Sequence, residues 1–289
     1  MKIATIQNCQ SQPTADYLQR AIADVDITQF RLDHPGWDDP VAQERFLDEA
    51  KNADFVFSQP NSRPLLTPAA LNQRFGQKLV LVTNLHYRGL TPDCCYVGAR
   101  ASRLSGPLPY HSIVVLEAFR RGLSATECVS KFSPDGFEEL GLFGVHDQAL
   151  TELGHREADA PVKGVELINR FYRSHRLFYT MNHPTIFMMS RYMSQILKHI
   201  DVRQRRVDVA ATPDRLAEHQ VLPIFDFVAD YFKLKYRTTQ LYQNNYKFIS
   251  INNIVDGFYR LYSKLPSDQL KSAVQSLRTS NSSSNIPRP

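Results

Sequence analysis

The feature that most constrains this chain is the alternation, over about its first hundred residues, of short β-branched runs with amphipathic stretches. Ile3–Ile6 is apolar and β-branched and reads as a buried strand. A polar loop, Gln7–Gln12, follows, and Pro13 and Thr14 open a helical pattern through Tyr17, Leu18, Ala21 and Ile22. Asp26–Leu32 reads as a second strand and Val41–Ala53 as a helix with Phe46, Leu47 and Ala50 on one side. Phe55–Phe57 reads as a third strand, Leu66–Phe75 as a helix with Pro68 near its first turn, and Leu79–Val82 as a fourth strand. Strands alternating with helices imply right-handed βαβ crossovers and a parallel sheet. Ligands of such sheets bind beyond the carboxyl ends of the strands, so the loops after them are the places to look for chemistry.

The pattern then changes. His111–Arg121 and Ser124–Lys131 read as helices divided by Gly122, Pro161–Arg173 as another, and Leu177–Thr180 as a short strand. Ile186–Ile200 is the strongest helix, because Met189, Tyr192, Met193, Ile196, Leu197 and Ile200 recur at helical spacing. Leu222–Phe232 and Ile254–Leu261 add two more. The expected fold is α/β: an N-terminal parallel-sheet layer with a mainly helical C-terminal half. It is read as one domain over 1–277, sheet-rich over 1–105 and mainly helical over 106–277. The Ser-, Asn- and Pro-rich segment 278–289 reads as a disordered tail.

Composition narrows the function classes. Lys and Arg exceed Asp and Glu by only 34 to 29 and are spread along the chain. That balance points away from nucleic acid and suits an anionic small ligand. The start MKIATIQNCQ is no export signal, and no stretch approaches 18 apolar residues, so a cytoplasmic protein without a transmembrane helix is expected. Cys9, Cys94, Cys95 and Cys128 then read as free thiols. No Cys-x-x-Cys, Gly-rich phosphate loop, HExxH, EF-hand or GxSxG pattern is present, so no metal is expected and a standard α/β-hydrolase is disfavoured. The basic, aromatic stretch Tyr231–Tyr246 reads as an amphipathic surface, with an interface or peripheral membrane contact as the alternatives. Oligomeric state is not legible.

Four segments carry candidate chemistry. Asn8-Cys9-Gln10 follows the first strand and precedes a helix, where the helix dipole and nearby amides favour a thiolate, and Asn8 and Gln10 can donate to an oxyanion. The alternative is a small buried cysteine. Asn182-His183-Pro184-Thr185 places His183 at or near the cap of the following helix, where a neutral ring suits a general base and Asn182 can orient it. A structural cap histidine is the alternative, and His111 and His86 are weaker candidates for the base. Arg170, Arg173 and Arg176 are spaced by three at a helix end and suit phosphate oxygens, or form a solvated basic face. Tyr110, His111 and Ser112 open a helix whose N-terminus suits an anion and whose tyrosine could stack on a ring, or form an ordinary helix start. Asp93, after Pro92, is an orienting carboxylate or a turn residue.

In this order, Asn8-Cys9-Gln10, Pro92-Asp93, Tyr110-His111-Ser112, Arg176-Leu177-Phe178 and Asn182-His183-Pro184 resemble the WcbI-type polysaccharide biosynthesis proteins over roughly Lys2 to Ile200. Gln7 stands where that family's pattern usually has a glycine. The resemblance implies a fold distantly like the SGNH esterases, coenzyme A or acetyl-coenzyme A as acyl donor, and a sugar hydroxyl of a capsule or other polysaccharide as acceptor. The expectation is therefore a coenzyme-A-dependent O-acetyltransferase. Cys9 would be nucleophile or thioester-facing group and His183 the base, with Asn8, Gln10 and Asn182 as donors. Arg170, Arg173 and Arg176 would hold phosphates, with Tyr110, His111 and Ser112 lining the site. A carbohydrate esterase using the same Cys–His pair, and a non-catalytic coenzyme-A-binding assembly protein, are the alternatives.

Overall fold

The computed structural model describes residues 1–34, 36, 38–98 and 103–266; the tail segment 278–289 and Trp37 lie outside the described residues. In chain order the elements are β1 (Lys2–Gln7), α1 (Ser11–Ala21), β2 (Asp26–Arg31), α2 (Pro40–Ala50), β3 (Phe55–Ser58), α3 (Pro68–Phe75) and β4 (Leu79–Leu81). There follow β5 (Cys94–Cys95), β6 (His111–Ser112), α4 (Ile113–Arg120), α5 (Ala125–Ser130), α6 (Pro134–Glu139), α7 (Val145–Arg156) and α8 (Gly164–Phe171). The last are β7 (Phe178–Thr180), β8 (His183–Pro184), α9 (Ile186–His199), β9 (Gln220–Val221), α10 (Asp226–Tyr231), β10 (Tyr242–Asn244), β11 (Lys247–Ile249) and α11 (Ile251–Tyr262). The chain groups into two compact units, Met1–Tyr87 with Gln148–Glu218, and Arg88–Asp147 with His219–Pro289.

The first unit holds a four-stranded parallel sheet in the order β2-β1-β3-β4, so the α/β fold expected from the strand–helix alternation is present. The alternation of side chains along a strand explains its two faces. Ala4 and Ile6 of β1, with Val56 of β3, join Phe46, Leu47, Leu66, Leu71 and Phe75 in one apolar cluster against α2 and α3. Thr5 faces the other way, and its hydroxyl lies 3.2 Å from Ser11 at the start of α1. Helix α1 packs on α9, whose Met189, Tyr192, Met193, Ile196 and Leu197 are all buried. From β1 the chain turns to β2 on one side and then crosses to β3 on the other. The strand order therefore reverses at the carboxyl end of β1, which is where ligands of doubly wound sheets bind.

The second unit is built from α4, α5, α6, α10, α11, the pair β5–β6 and the antiparallel sheet β11-β10-β9. The helix expected from His111 begins instead at Ile113, because His111 and Ser112 pair with Cys95 and Cys94. Helices α6 and α7 and the sheet of β9, β10 and β11 were not read from the sequence. Six residues of α6, two strands of three residues and one of two are too short for a periodicity to emerge. All four cysteines are free, and no helix among the described residues is long and apolar enough to cross a membrane.

One buried hydrogen bond ties α9 to the sheet's carboxyl edge: the Thr83 N–H donates to the Tyr192 hydroxyl at 2.6 Å. Tyr192→Phe leaves that amide buried without its acceptor. The expected loss is about 1–3 kcal/mol of stability, read as a lower denaturant midpoint at unchanged slope. An unchanged midpoint would show that the bond does not hold this edge.

Candidate active site

Three loops meet where the strand order reverses, and each begins with an amide side chain. Asn8 follows β1, Gln59 follows β3, and Asn84 lies three residues after β4. The Asn8 N–H donates to Gln59 Oε1 at 3.0 Å, and Asn8 Nδ2 donates to Asn84 Oδ1 at 3.0 Å. Gln10, only 1% exposed, joins these loops to a fourth. Its Nε2 lies within 3.1 Å of Asn84 Oδ1, 2.8 Å of the Leu85 carbonyl and 3.2 Å of the Asn182 carbonyl. Its Oε1 accepts from Leu85 N at 3.1 Å and Gln59 Nε2 at 3.3 Å. The Arg156 guanidinium of α7 fixes the same loop from outside, donating to the carbonyls of Asn84 at 2.7 Å and His86 at 2.8 Å. Gln59, Asn84 and Arg156 were missed by sequence reasoning. The available signal was that Gln59 follows its strand as directly as Asn8 follows β1.

Cys9 sits inside this frame, half-buried, at the start of α1. Its thiol donates toward Asn8 Oδ1 at 3.9 Å and accepts from Asn182 Nδ2 at 3.9 Å. The expected thiolate is not what this environment favours. Burial, with the Asp33 carboxylate second, pushes the Cys9 thiol from 9.0 up to about 12, while Arg31 and the residue's own N–H oppose the rise. A helix N-terminus contributes up to about 2 kcal/mol, roughly a thirtyfold change in ionisation. The rise to about 12 is roughly a thousandfold in the other direction, so desolvation wins.

The segments that carry Cys9 and His183 meet through Asn182 and Gln10. Asn182 lies in the turn of the β7–β8 hairpin, and its Oδ1 accepts from the Thr180 hydroxyl at 3.1 Å. His183 is not a cap residue. It is buried in β8, paired with Thr180, and the cap of α9 is Thr185, whose hydroxyl accepts from Met188 N at 3.3 Å. Pro184 accordingly sits in the strand and not at the first helical position, because the hairpin holds 183–184 extended.

The remaining candidates fall elsewhere. Only Arg170 lies in a helix, since α8 ends at Phe171, so the three arginines do not share a helix face. Each guanidinium lies over an adjacent or nearby ring: Arg170 over Phe171 at 5.1 Å, Arg173 over Tyr172 at 5.3 Å and Arg176 over Tyr179 at 5.2 Å. Arg176 also donates to the Phe178 carbonyl at 3.0 Å. Tyr110, His111 and Ser112 belong to the second unit and are buried there. Tyr110 packs on Tyr96, and the His111 ring lies 2.7 Å from the Tyr262 hydroxyl and 3.0 Å from the Leu104 carbonyl. Asp93 is buried in the same unit, where desolvation pushes its carboxyl up to about 6. Ser112 is the N-cap residue of α4, and Asp93, Tyr110, His111 and Ser112 line one small cavity of this unit.

An open cleft of about 550 Å³ lies on the β2 side of the same unit, lined by Gln12, Gln29, Arg31, His34, Arg45 and Glu49 among others. Gln12 follows Cys9 by three residues, and the charge of Arg31 acts on the thiol. The volume lies in the range of small-molecule sites. Arg31 is held by Asp33 at 2.7 Å. Arg45 is exposed and makes no ion pair among the described residues.

The protonation state of Cys9 is measurable. Alkylation of Cys9 by iodoacetamide at pH 8 is expected to be roughly two to three orders of magnitude slower in the folded protein than in urea, because thiolate is the reacting form. The rate should keep climbing with pH through pH 10, and Asp33→Asn should raise it. A plateau below pH 9 would contradict the raised value.

A family model described as "Polysaccharide biosynthesis enzyme WcbI" matches residues 2–205. No curated protein matches the chain. A solved structure of WcbI, described as a novel polysaccharide biosynthesis enzyme in its native form without a disulfide bond between coenzyme A and one of its cysteines, is similar with a TM-score of 0.76. The two share 16% sequence identity, and the match covers 96% of this chain and 94% of that one, a likeness of fold. Since the family match runs over residues 2–205 of 289, the chain belongs to the WcbI family of polysaccharide biosynthesis enzymes.

Proposed function

We propose that this enzyme transfers an acetyl group from acetyl-coenzyme A to a sugar hydroxyl during polysaccharide biosynthesis. The observation that carries the reading is the Cys9 thiol, framed by Asn8 and Asn182 where the strand order reverses, in a unit that also holds an open cleft lined by Gln12 and Arg31. The description of the WcbI structure, which pairs coenzyme A with a cysteine, supports the same ligand here. Bound acetyl-coenzyme A supplies an activated thioester carbonyl.

The residues divide the work as follows. Cys9 stays protonated and faces the thioester, since a thiol pushed up to about 12 is a poor nucleophile at neutral pH. His183 takes the proton of the acceptor hydroxyl as its oxygen attacks the carbonyl carbon, and returns it to the departing sulfur as the carbon–sulfur bond breaks. Asn182 Nδ2 donates to the oxygen on which negative charge develops. Gln10, Gln59 and Asn84 keep Asn8 and Asn182 in place. We assign the ligand's phosphates to Arg31 and Arg45 of the cleft in preference to Arg170, Arg173 and Arg176, whose guanidinia lie over rings.

Coenzyme A should raise the thermal midpoint, by the equivalent of about 2.7 kcal/mol at a hundredfold excess over its dissociation constant. No shift would favour an esterase that uses water and no cofactor. Arg45→Glu should weaken coenzyme A binding by about tenfold, the value of one charge-assisted contact, and Arg170→Glu should leave it unchanged. The reverse pattern would return the phosphates to the arginine run. With acetyl-coenzyme A and a sugar acceptor, His183→Ala should lose at least about a hundredfold in turnover, while Cys9→Ala keeps most of it. Loss of turnover in Cys9→Ala would point to a covalent acetyl-cysteine. Unchanged polysaccharide output in cells carrying His183→Ala would point to a non-catalytic role.

A further inference from the structure

The antiparallel hairpin of β10 and β11 presents an apolar face that its own unit does not cover. Phe248 pairs with Gln243, so both project on one side of the ribbon, while Tyr242 and its partner Ile249 project on the other. Tyr242 is 5% exposed and buried in the unit, whereas Phe248 is 64% exposed. Leu241, two residues before Gln243, falls on the Phe248 side by the same alternation and is also exposed.

The turn adds a second observation. Asn245 and Tyr246 both have positive φ, +47° and +65°, the geometry of a two-residue hairpin turn whose second position favours glycine. A tyrosine there is conformationally costly, yet it is 69% exposed and so gains little from packing in its own chain. The aromatic ring at the tip has no evident role in folding.

The surrounding charge selects a partner. Residues 231–249 contain Lys233, Lys235, Arg237 and Lys247 and no Asp or Glu. Arg237 pairs with Asp230 and Asp226, but Lys233, Lys235 and Lys247 are exposed and make no ion pair among the described residues. A second copy meeting this face about a two-fold axis would set like charges against each other. An apolar leucine and phenylalanine, an interfacial tyrosine and unpaired lysines together match an anionic bilayer surface. We propose that the β10–β11 hairpin docks this protein peripherally on anionic lipid, with Tyr246 and Phe248 entering the headgroup region and Lys247, which projects on the other side of the ribbon next to the turn, meeting lipid charge at the rim. This inference is independent of the acyl-transfer reading.

The test is sedimentation of the full chain with phosphatidylcholine vesicles, with and without phosphatidylglycerol. Binding is expected only to the anionic vesicles and should fall as salt is raised. Lys247→Glu should weaken it at least about fivefold, the effect of one juxtamembrane lysine. Phe248→Glu and Tyr246→Gly should each lower it by a similar factor or more. Glycine suits the turn, so Tyr246→Gly should keep or raise thermal stability, and its loss of binding cannot be attributed to unfolding. Equal binding to pure phosphatidylcholine, or binding unchanged in Tyr246→Gly and Phe248→Glu, would overturn the proposal. So would binding to a soluble sulfated dextran with none to vesicles, or a dimer in solution that Phe248→Glu dissociates.

Discussion

The site depends on one buried amide. Gln10 cannot leave its polar atoms unpaired at 1% exposure, because each orphaned donor or acceptor would cost about 1–3 kcal/mol. The pairing it finds is with backbone as well as side chains. It accepts from the Leu85 N–H and donates to the Leu85 carbonyl, as a strand partner would, and it also reaches Asn84 and the Asn182 carbonyl. One side chain thus spans contacts 74, 75 and 172 residues away in sequence. Cys9 precedes Gln10, so the thiol's position follows from satisfying its neighbour's amide. Such a network is costly when partly satisfied and rigid when complete, so it holds the thiol in a fixed place.

The same enclosure sets the thiol's chemistry. Packing enough protein around Cys9 to hold it raises the cost of ionising it, and Asp33 adds to that cost. A helix start is too weak to reverse the balance. The structure therefore sets a neutral S–H against an amide donor, Asn182 Nδ2, and the proposed mechanism leaves ionisation to a separate base. This arrangement favours transfer between two bound partners over attack by the cysteine itself. An open cleft on the β2 side gives a route for a ligand longer than the thiol's immediate surroundings.

Much of the first unit was legible in the sequence. The four strands come from β-branched runs whose burial demands alternation, and all four were placed to within two residues at either end. Asn8, Cys9 and Gln10 were identified because polar residues at a strand's carboxyl end point to a ligand edge, and Asn182 because it precedes His183. Neither the pairing of Asn182 with Cys9 nor the role of Gln10 as a hub was legible. Asn84 and Arg156 escaped because nothing local distinguishes a polar side chain that bonds across 50 or more residues from one that faces water, whereas Gln59 had its place directly after a strand as a signal. The errors have the same origin. His183 and His111 were given helix-start positions from local pattern, and strand pairing with Thr180 and Cys95 overrode it.

The account rests on the Cys9 thiol facing the sulfur end of bound coenzyme A. The most direct measurement is intact-protein and peptide mass spectrometry after incubation with coenzyme A disulfide. Exchange there proceeds slowly, through the small thiolate fraction of Cys9, forming a protein–coenzyme A disulfide and releasing one coenzyme A thiol. The account predicts one adduct, on Cys9, whose formation acetyl-coenzyme A competes away. An adduct on Cys94, Cys95 or Cys128 with Cys9 unmodified, or exchange at Cys9 that acetyl-coenzyme A does not slow, would contradict it.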